Sequence, residues 1–387
     1  MREDTYSKAL KAGIIPTPQQ TLLLKACIES GDSAIDSFQK WVNTLTINFT
    51  RLDKTESPGL PQVFDQLDMG SQRLLSLLYK NLTNQGYQHT IIQKLSGYYK
   101  YIWYRNNLLK AKLAELIIEF KAAGIEVAVI KGIAQIEKYY PHYGMRPTMD
   151  IDLYVRPVNT EKSVNLLIAK GWQSKEGNPH RIAQAQLHAH TFYSGYVELD
   201  LHFHLSIFPL RSETENLMWE SASLQKEGYY LLTPAHELYI TMLHAFQWNL
   251  VPPVRWVTDS LNLLKQFDSN EWNRFYELIQ SEAYSIPYPL FIYLVENNFT
   301  LVPERVMEVL KAGKNDKNIQ MQIKYALASQ NENAFIWARR VYYRLRYINK
   351  GNWLIQWLNH YLYAWNVNNY IYLIPVALTK LYRKTRN

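Results

Sequence analysis

The sequence predicts a protein of mixed fold class, either α/β or α+β, in which a short sheet-forming region lies between two largely helical regions. Two observations support this prediction. In the middle of the chain, stretches with strand patterns alternate with stretches with helical patterns. On either side, apolar residues recur at helical spacing. The predicted division is an N-terminal helical region (1–107), a central region (108–210) and a C-terminal helical region (211–387).

The first region is predicted to be helical. In TPQQTLLLKACIES (17–30), a threonine stands where a helix cap is expected, and apolar residues follow at helical spacing. The segment SQRLLSLLYKNL (71–82) has the same spacing. Proline and glycine in ESPGLPQ (56–62) interrupt the pattern between these two helices.

The central region contains alternating helices and strands. An amphipathic pattern that ends at Gly124 predicts a helix, because glycine is favoured just after a helix C-terminus. Apolar, β-branched residues then predict a buried strand, and alternation of apolar with polar residues predicts two further strands. The predicted elements are a helix over 108–124, a strand over 125–130, a turn and short helix over 131–141, a strand over 148–155, a helix over 161–172 and a strand over 196–205.

The third region is helical again from about residue 230, and its tail is basic. After Glu332 there is no acidic residue, and nine Arg or Lys side chains account for the whole net charge of +8. Aromatic residues interleaved with cations suit nucleic acid, and the same mixture suits an anionic membrane surface. A helical bundle with buried aromatic and solvated basic side chains is the third interpretation. The sequence leaves all three open.

The cysteine count and the N-terminal sequence bear on location. The chain has one cysteine, Cys27, which excludes an internal disulfide framework and a cysteine-based zinc finger. The first residues lack the apolar stretch of a signal peptide. No run approaches the roughly 20 apolar residues of a membrane span. We expect a cytoplasmic protein without a transmembrane segment.

Three aspartates lie on the polar faces of the two alternating strands. Side chains in a strand point to alternate faces, so Asp150 and Asp152 share one face, and Asp200 lies on the polar face of the later strand. If the strands are neighbours, the carboxylates converge, and their mutual repulsion is relieved by a divalent cation. Such oxygen ligands suit Mg²⁺, and two ions can promote phosphoryl transfer. The alternative is that these are solvated carboxylates at a sheet edge.

Two His-x-His pairs flank the predicted hairpin at 188–204. A three-residue loop places His188 and His190 on the same face as His202 and His204, where imidazoles could bind zinc and support a metal hydrolase. A two-residue loop turns both upstream histidines to the other face. In that case His202 and His204 orient the acidic groups or make ordinary hydrogen bonds.

The chain from about 108 to 205 resembles the DNA polymerase beta-like nucleotidyltransferase superfamily. It is most similar to the uncharacterised nucleotidyltransferase family of bacterial proteins. The matching stretches are AVIKGIA (128–134), YGMRPTMDIDLYV (143–155) and VELDLHFHL (197–205). Helices on both sides resemble the family as well, so the similarity extends over most of the chain. It implies an α+β fold with a small mixed sheet.

The resemblance also implies roles for individual residues. Asp150 and Asp152 match the metal-binding pair, and Asp200 matches the third carboxylate, which binds metal and helps to activate the acceptor hydroxyl. Gly132 matches the glycine whose turn lets backbone N–H groups approach the triphosphate. The implied cofactors are Mg²⁺, as a pair of ions, and an NTP such as ATP as the donor.

The sequence departs from the superfamily pattern beside that glycine. The usual Gly-Ser is replaced by Lys131-Gly132, so the phosphate-binding hydroxyl is missing and Lys131 is the expected source of charge. Arg146 is expected either to reach a phosphate bidentately or to form a salt bridge. Farther along the chain, Arg255 and Asp259 have the spacing of a helix ion pair.

The acceptor is not indicated by the sequence. RNA, a protein and a small molecule all remain candidates. A protein that keeps this fold as a non-catalytic binding or antitoxin-like module is the alternative function.

Overall fold

The computed structural model describes residues 13–45, 67–175, 177–182, 187–208, 210–246, 253–282, 287–313 and 353–384. The predicted break at 56–62 lies outside these residues. So do the basic tail residues Arg339, Arg340, Arg344, Arg346, Lys350 and Arg386, and the side chains of Lys380, Arg383 and Lys384.

The described helices, in chain order, are α1 (Pro18–Ile28), α2 (Gly31–Asn43), α3 (Met69–Gln72), α4 (Leu75–Asn84), α5 (Thr90–Ala122), α6 (Lys131–Tyr139), α7 (Thr160–Ala169), α8 (Ser212–Glu220), α9 (Pro234–Ala245), α10 (Trp256–Leu264), α11 (Ser269–Glu282), α12 (Tyr288–Glu296), α13 (Glu304–Gly313), α14 (Trp353–Ala364) and α15 (Leu373–Lys384). The described strands are β1 (Ala128–Ile130), β2 (Asp150–Tyr154), β3 (Gln173–Ser174), β4 (Ala189–Ser194), β5 (Val197–His202), β6 (Ser223–Leu224) and β7 (Tyr230–Leu231).

The chain separates into two compact units, each built from segments distant in sequence. The helical unit contains the described residues within Met1–Ala111, Ile133–Thr148 and Pro234–Ile323. The sheet unit contains those within Lys112–Gly132, Met149–Thr233 and Lys324–Asn387. The three sequence regions proposed above stay a prediction, and the continuous helix α5 crosses the first of their boundaries.

The helical unit begins with the capped helix that the sequence predicted. The Thr17 hydroxyl accepts a hydrogen bond from the backbone N–H of Gln20, and the Gln20 side chain accepts one from the Thr17 N–H. This reciprocal arrangement satisfies donors that the first helical turn leaves unpaired. Helix α1 packs against α2 and α4 through buried residues such as Leu23, Leu24 and Phe38.

The sheet unit contains a mixed seven-stranded sheet in the order β3-β4-β5-β2-β1-β7-β6. The β2–β5 and β1–β7 pairs are parallel, whereas the other described pairs are antiparallel. Ile151, Leu153, Leu199 and Leu201 are fully buried and anchor the two central strands. This architecture confirms the predicted α+β class with a small mixed sheet.

The register of the central strands positions their acidic residues. Strands β2 and β5 are neighbours, as the convergence of the aspartates required, and Asp152 is the register partner of Asp200. Side chains of register partners on adjacent strands lie on the same face of the sheet. The two carboxylates therefore stand side by side.

The chain turns sharply where β1 ends and α6 begins. Lys131 has a φ of 52°, in the left-handed region that side chains other than glycine rarely adopt. The resemblance assigned the turn to Gly132, but the left-handed residue is its predecessor, and Gly132 is buried in the first turn of α6. Because Ile130 is the register partner of Asp152, this turn brings Lys131 to the aspartate.

The described end of the chain, which is part of the sheet unit, has a buried side and an exposed side. Tyr361, Leu362, Val367 and Leu373 form a small core. On the outer side, apolar residues are open to solvent: Ile371 by 74%, Ile374 by 69% and Leu378 by 61%. Across the described residues, none of the helices combines the length and the apolar character that crossing a bilayer requires.

Candidate active site

A compact polar cluster lies on the two central strands. Asp152, Asp200 and His202 each offer one ligand atom, and these atoms all lie within 4.8 Å of one another. Asp152 and His202 are buried, whereas Asp200 is only partly covered. The strands β2 and β5 hold these side chains on one face because 152 and 200 are in register and 202 follows 200 by two residues.

Lys131 supplies a positive charge to this cluster. Its Nζ lies 3.0 Å from Oδ1 of Asp152 and 3.2 Å from Nε2 of His202. The side chains are largely buried, with 17% of Lys131 and 5% of Asp152 exposed. The ion pair therefore lies in an environment where charges interact more strongly than in water.

His202 completes the cluster on its buried side. Its Nε2 lies 2.9 Å from Oδ1 of Asp152, the same oxygen that contacts Lys131. The side chain is 2% exposed, and Nδ1 has no hydrogen-bond partner among the described residues. The ring of His188 packs against the His202 ring at a centroid distance of 6.1 Å.

The charges in the cluster hold one another ionised. Burial alone raises the pKa of Asp152, but the Lys131 ammonium and the His202 ring more than offset this and keep the pKa below its usual range. Burial alone lowers the pKa of Lys131, and the carboxylates of Asp152, Asp200 and Asp150 more than offset this and raise it. The cluster therefore contains ionised groups at neutral pH.

Asp150 and Asp200 occupy the more open side of the polar face. Asp150 is half-buried and is the register partner of Glu198, whose carboxylate pairs with Lys175 at 2.7 Å. Asp200 accepts a hydrogen bond of 2.6 Å from the Thr191 hydroxyl, on its register partner in β4. The structure thus brings Asp152 and Asp200 together, with Asp150 one step along the same face.

The donor set fits a divalent cation. Two carboxylate oxygens and an imidazole nitrogen are common ligands of such ions in proteins. Asp152 also supports the fit. The Lys131 ammonium already places a positive charge beside one oxygen of this carboxylate, at a position that suits a cation. Asp150, Asp152, Asp200 and His202 are the residues that could hold metal.

Arg146 lies in the helical unit, where it pairs with Asp259. Its Nε and Nη2 donate to the two carboxylate oxygens at 2.8 Å each. The Tyr140 hydroxyl donates to the same carboxylate at 2.8 Å. Burial raises the pKa of Asp259, but the Arg146 guanidinium outweighs this effect and lowers it. The predicted helix partner of Asp259, Arg255, instead donates to the carbonyl of Pro147.

The histidine hairpin has the two-residue turn. Ser194 pairs with Val197, so the register places His190 opposite Leu201 and turns it away from the acidic face. His190 instead lies 2.8 Å from the hydroxyls of both Ser174 and Tyr363. His204 lies 2.8 Å from Glu215. The described residues therefore do not form the four-histidine zinc site that the longer loop required.

Thr191 was not predicted as part of the acidic cluster, whereas His202 was predicted to orient the acidic groups if the turn had two residues. The sequence contained the signal, since a two-residue turn makes Thr191 the register partner of Asp200. That turn includes Gly195 in the left-handed conformation, φ 59°, which two-residue hairpins favour. The sequence alone left the loop length open.

One family model matches a stretch of the chain that includes residues of both units. A model described as an uncharacterised nucleotidyltransferase matches residues 69–299, more than half of the chain. The matched stretch contains the whole acidic cluster, together with Lys131 and Arg146. No curated protein matches the sequence.

Proposed function

Because the chain belongs to the uncharacterised nucleotidyltransferase family, we propose that it transfers a nucleoside monophosphate from an NTP to an acceptor hydroxyl. The observation that carries this proposal is the side-by-side placement of Asp152 and Asp200 on β2 and β5. Charge stabilisation and positioning supply most of the catalysis of phosphoryl transfer, and paired carboxylates that hold metal serve both. We place the reaction in the cytoplasm, where NTPs are available.

The proposed cofactor is Mg²⁺, as two ions held by Asp150, Asp152 and Asp200. When bound, these ions neutralise phosphate charge and activate the attacking oxygen. The partly open position of Asp150 and Asp200 leaves room on that side for a substrate, whereas Asp152 is closed off by Lys131 and His202.

The protein groups have distinct proposed tasks in the transfer. The acceptor oxygen forms a bond to the α-phosphorus, and the bond from that phosphorus to pyrophosphate breaks, with the electron pair leaving on pyrophosphate. Asp200 accepts the acceptor proton, and the Thr191 hydroxyl fixes the orientation of its carboxylate. Lys131 and Gly132 seat the triphosphate.

The first experiment is calorimetric titration with ATP, GTP, CTP and UTP in the presence of Mg²⁺ and again with EDTA. We compare wild type with Asp150→Asn/Asp152→Asn. Glu198→Gln is the control. It removes a half-exposed carboxylate that lies on the same face of β5 as Asp200 and pairs with Lys175. Metal-dependent binding that the double variant loses and the control keeps supports the proposal. A folded wild type that binds none of the four contradicts it.

Binding without transfer defines the runner-up, a non-catalytic module. After the preferred base is known, the NTP labelled at the α-phosphate is incubated with RNA, protein and small-molecule fractions in turn. Label that becomes attached to one fraction, and does so less with Asp200→Asn, identifies the acceptor class. Binding without any attached label supports the non-catalytic alternative.

The basic tail is proposed to contact an anionic surface. Its exposed side chains include Ile371, in the 3-10 turn before α15, and Ile374 and Leu378, which are four residues apart on one face of α15. Aliphatic side chains enter a lipid interface, whereas contacts with single-stranded nucleic acid rely on aromatic stacking. The nine basic residues after Glu332 supply the positive charge that an anionic lipid surface attracts.

A further inference from the structure

We propose that Nε2 of His202 is a metal ligand in the acidic cluster, so that the cluster binds divalent transition ions in preference to Mg²⁺. The inference rests on the proposed function only in requiring that metal binds at these strands. The family resemblance assigns metal to carboxylates alone, and His202 adds a nitrogen ligand that it does not imply.

The first argument is the position of the ring. A ring nitrogen of His202 belongs to the group of ligand atoms within 4.8 Å of one another, together with oxygens of Asp152 and Asp200, and Nε2 lies 2.9 Å from Oδ1 of Asp152. The ring has little freedom to leave, because it is 2% exposed and the ring of His188 packs against it. A buried imidazole fixed beside two carboxylates is pre-arranged to bind an ion.

The second argument is that the hydrogen bonds around Nε2 conflict. Asp152 Oδ1 at 2.9 Å can only accept, so that contact requires a proton on Nε2. Lys131 Nζ at 3.2 Å can only donate, so that contact requires a lone pair on Nε2. One nitrogen cannot satisfy both neighbours. A bound cation removes the conflict, because it takes the Nε2 lone pair and an Asp152 oxygen together.

Metal binding at Nε2 of His202 also gives Lys131 a role. Its ammonium lies beside the Asp152 oxygen that a metal ion would use. When the ion binds, the two cations repel and the flexible lysine side chain moves away from Asp152. An ammonium released beside a metal-bound triphosphate can then contact a phosphate, which is the role proposed for Lys131 above.

The third argument concerns the kind of ion. Mg²⁺ prefers oxygen ligands, and an imidazole nitrogen shifts preference towards first-row transition ions. Mn²⁺ is the appropriate probe, because it also accepts carboxylates and is paramagnetic. Replacement of His202 by glutamine keeps a polar side chain but offers an oxygen. The ratio of Mn²⁺ to Mg²⁺ affinity is therefore expected to fall by about tenfold or more.

The deciding measurement is pulsed electron paramagnetic resonance of Mn²⁺ bound to the full chain without nucleotide. We expect electron spin echo modulation from an imidazole ¹⁴N nucleus in wild type. We expect the modulation to be lost in His202→Gln and kept in His204→Gln, whose side chain contacts Glu215 instead. Calorimetry of both ions then gives the affinity ratio for the same three proteins.

The outcomes separate this inference from the proposed function. Mn²⁺ binding that Asp152→Asn abolishes, without ¹⁴N modulation in wild type, overturns the His202 ligand and leaves the carboxylate metal site standing. Modulation that persists unchanged in His202→Gln also overturns it. A wild type that binds Mn²⁺ at no site sensitive to Asp152→Asn overturns both. If His202→Gln fails to fold, His202→Asn gives the same comparison, because its side chain also lacks an imidazole nitrogen.

Discussion

Lys131 and Asp152 form a largely buried ion pair in which one carboxylate oxygen lies 3.0 Å from the ammonium nitrogen. Removing one partner of such a pair leaves the other charge uncompensated, at a typical cost of about 3–5 kcal/mol. A divalent cation bound as proposed would compensate Asp152 in place of the missing lysine. We therefore expect stability and metal binding to be coupled at Lys131.

The first prediction is that Lys131→Met destabilises the metal-free protein and tightens its metal binding. With EDTA, we expect a melting temperature several degrees below wild type. With saturating Mn²⁺, most of the difference should disappear, because the ion compensates Asp152. Differential scanning calorimetry measures both values. Lys175→Met is the control, since it breaks an exposed pair with Glu198. An equal loss with and without metal would show that no ion replaces the lysine.

The second prediction concerns Thr191, whose hydroxyl donates to Asp200 Oδ1 at 2.6 Å. Thr191→Val removes this donor with little change of shape, whereas Thr191→Ser keeps it. A hydrogen bond to a charged group contributes about 1.5–3 kcal/mol, so we expect metal affinity to fall by about tenfold in the valine variant. Calorimetry should find the serine variant close to wild type. Equal affinities for all three proteins would mean that Asp200 needs no orientation by Thr191.

The sequence could predict the acidic strands because alternation on a strand is a local property. It placed Asp150, Asp152 and Asp200 on polar faces without knowledge of the fold. Whether the faces meet depends on the parallel pairing of β2 with β5, which a sequence pattern does not specify. The resemblance to a family supplied that information.

Other features depended on distant contacts that no local pattern reports. Arg146 and Asp259 are separated by 113 positions, and a helix partner four residues away was the simpler sequence-based choice for Asp259. The same holds for His190, whose hydrogen-bond partner Tyr363 is 173 positions away in the sequence. Local periodicity identifies the polar and apolar faces of a helix or strand. Which distant residues those faces contact is known only from the tertiary structure.

The third prediction is that His190 makes stability depend on pH. Burial lowers its pKa from 6.5 to about 4, so the unfolded chain binds a proton between these values and the folded chain does not. Stability then falls as the pH drops from about 6.5 to about 4 and is unaffected by this group at higher pH. The contribution is on the order of 3 kcal/mol, since the pKa falls from 6.5 to about 4 and one pKa unit corresponds to about 1.4 kcal/mol.

Urea unfolding of wild type and His190→Gln at several pH values measures this contribution. The difference between their unfolding free energies should shrink as the pH drops from about 6.5 to about 4. A difference that does not vary over this range would contradict the assignment. His236 also has a pKa lowered by burial, to about 3, and is present in both proteins, so it cancels in the comparison.

The fourth prediction tests the exposed face of the tail. Ile371→Asp/Ile374→Asp should weaken sedimentation with vesicles that contain phosphatidylserine, because it replaces apolar contact with repulsion. Vesicles of phosphatidylcholine alone should bind wild type poorly. Leu301→Asp is the matched control, since Leu301 is 90% exposed but lies in the helical unit. Wild-type binding to single-stranded RNA but not to vesicles would favour nucleic acid as the partner.

The fifth prediction separates two roles of Arg146. Its guanidinium makes a buried bidentate contact with Asp259, so Arg146→Met and Asp259→Asn should both destabilise, by about 3–5 kcal/mol. The pKa of Asp259 is lowered in the fold. The stability from this pair is therefore present above the unfolded pKa of about 4 and is lost as the pH falls through the lower folded value. Asp259→Asn should remove that acid dependence.

Nucleotide affinity shows whether Arg146 also contacts phosphate. If it does, Arg146→Met should weaken Mg²⁺–NTP binding by about tenfold or more, since hydrogen bonds to charged groups contribute about 1.5–3 kcal/mol. Asp259→Asn keeps the guanidinium and breaks the same ion pair, so it should bind nucleotide nearly as well as wild type. Calorimetry at a temperature where both variants are folded makes the comparison. Equal affinities for the two variants would restrict Arg146 to its structural pair with Asp259.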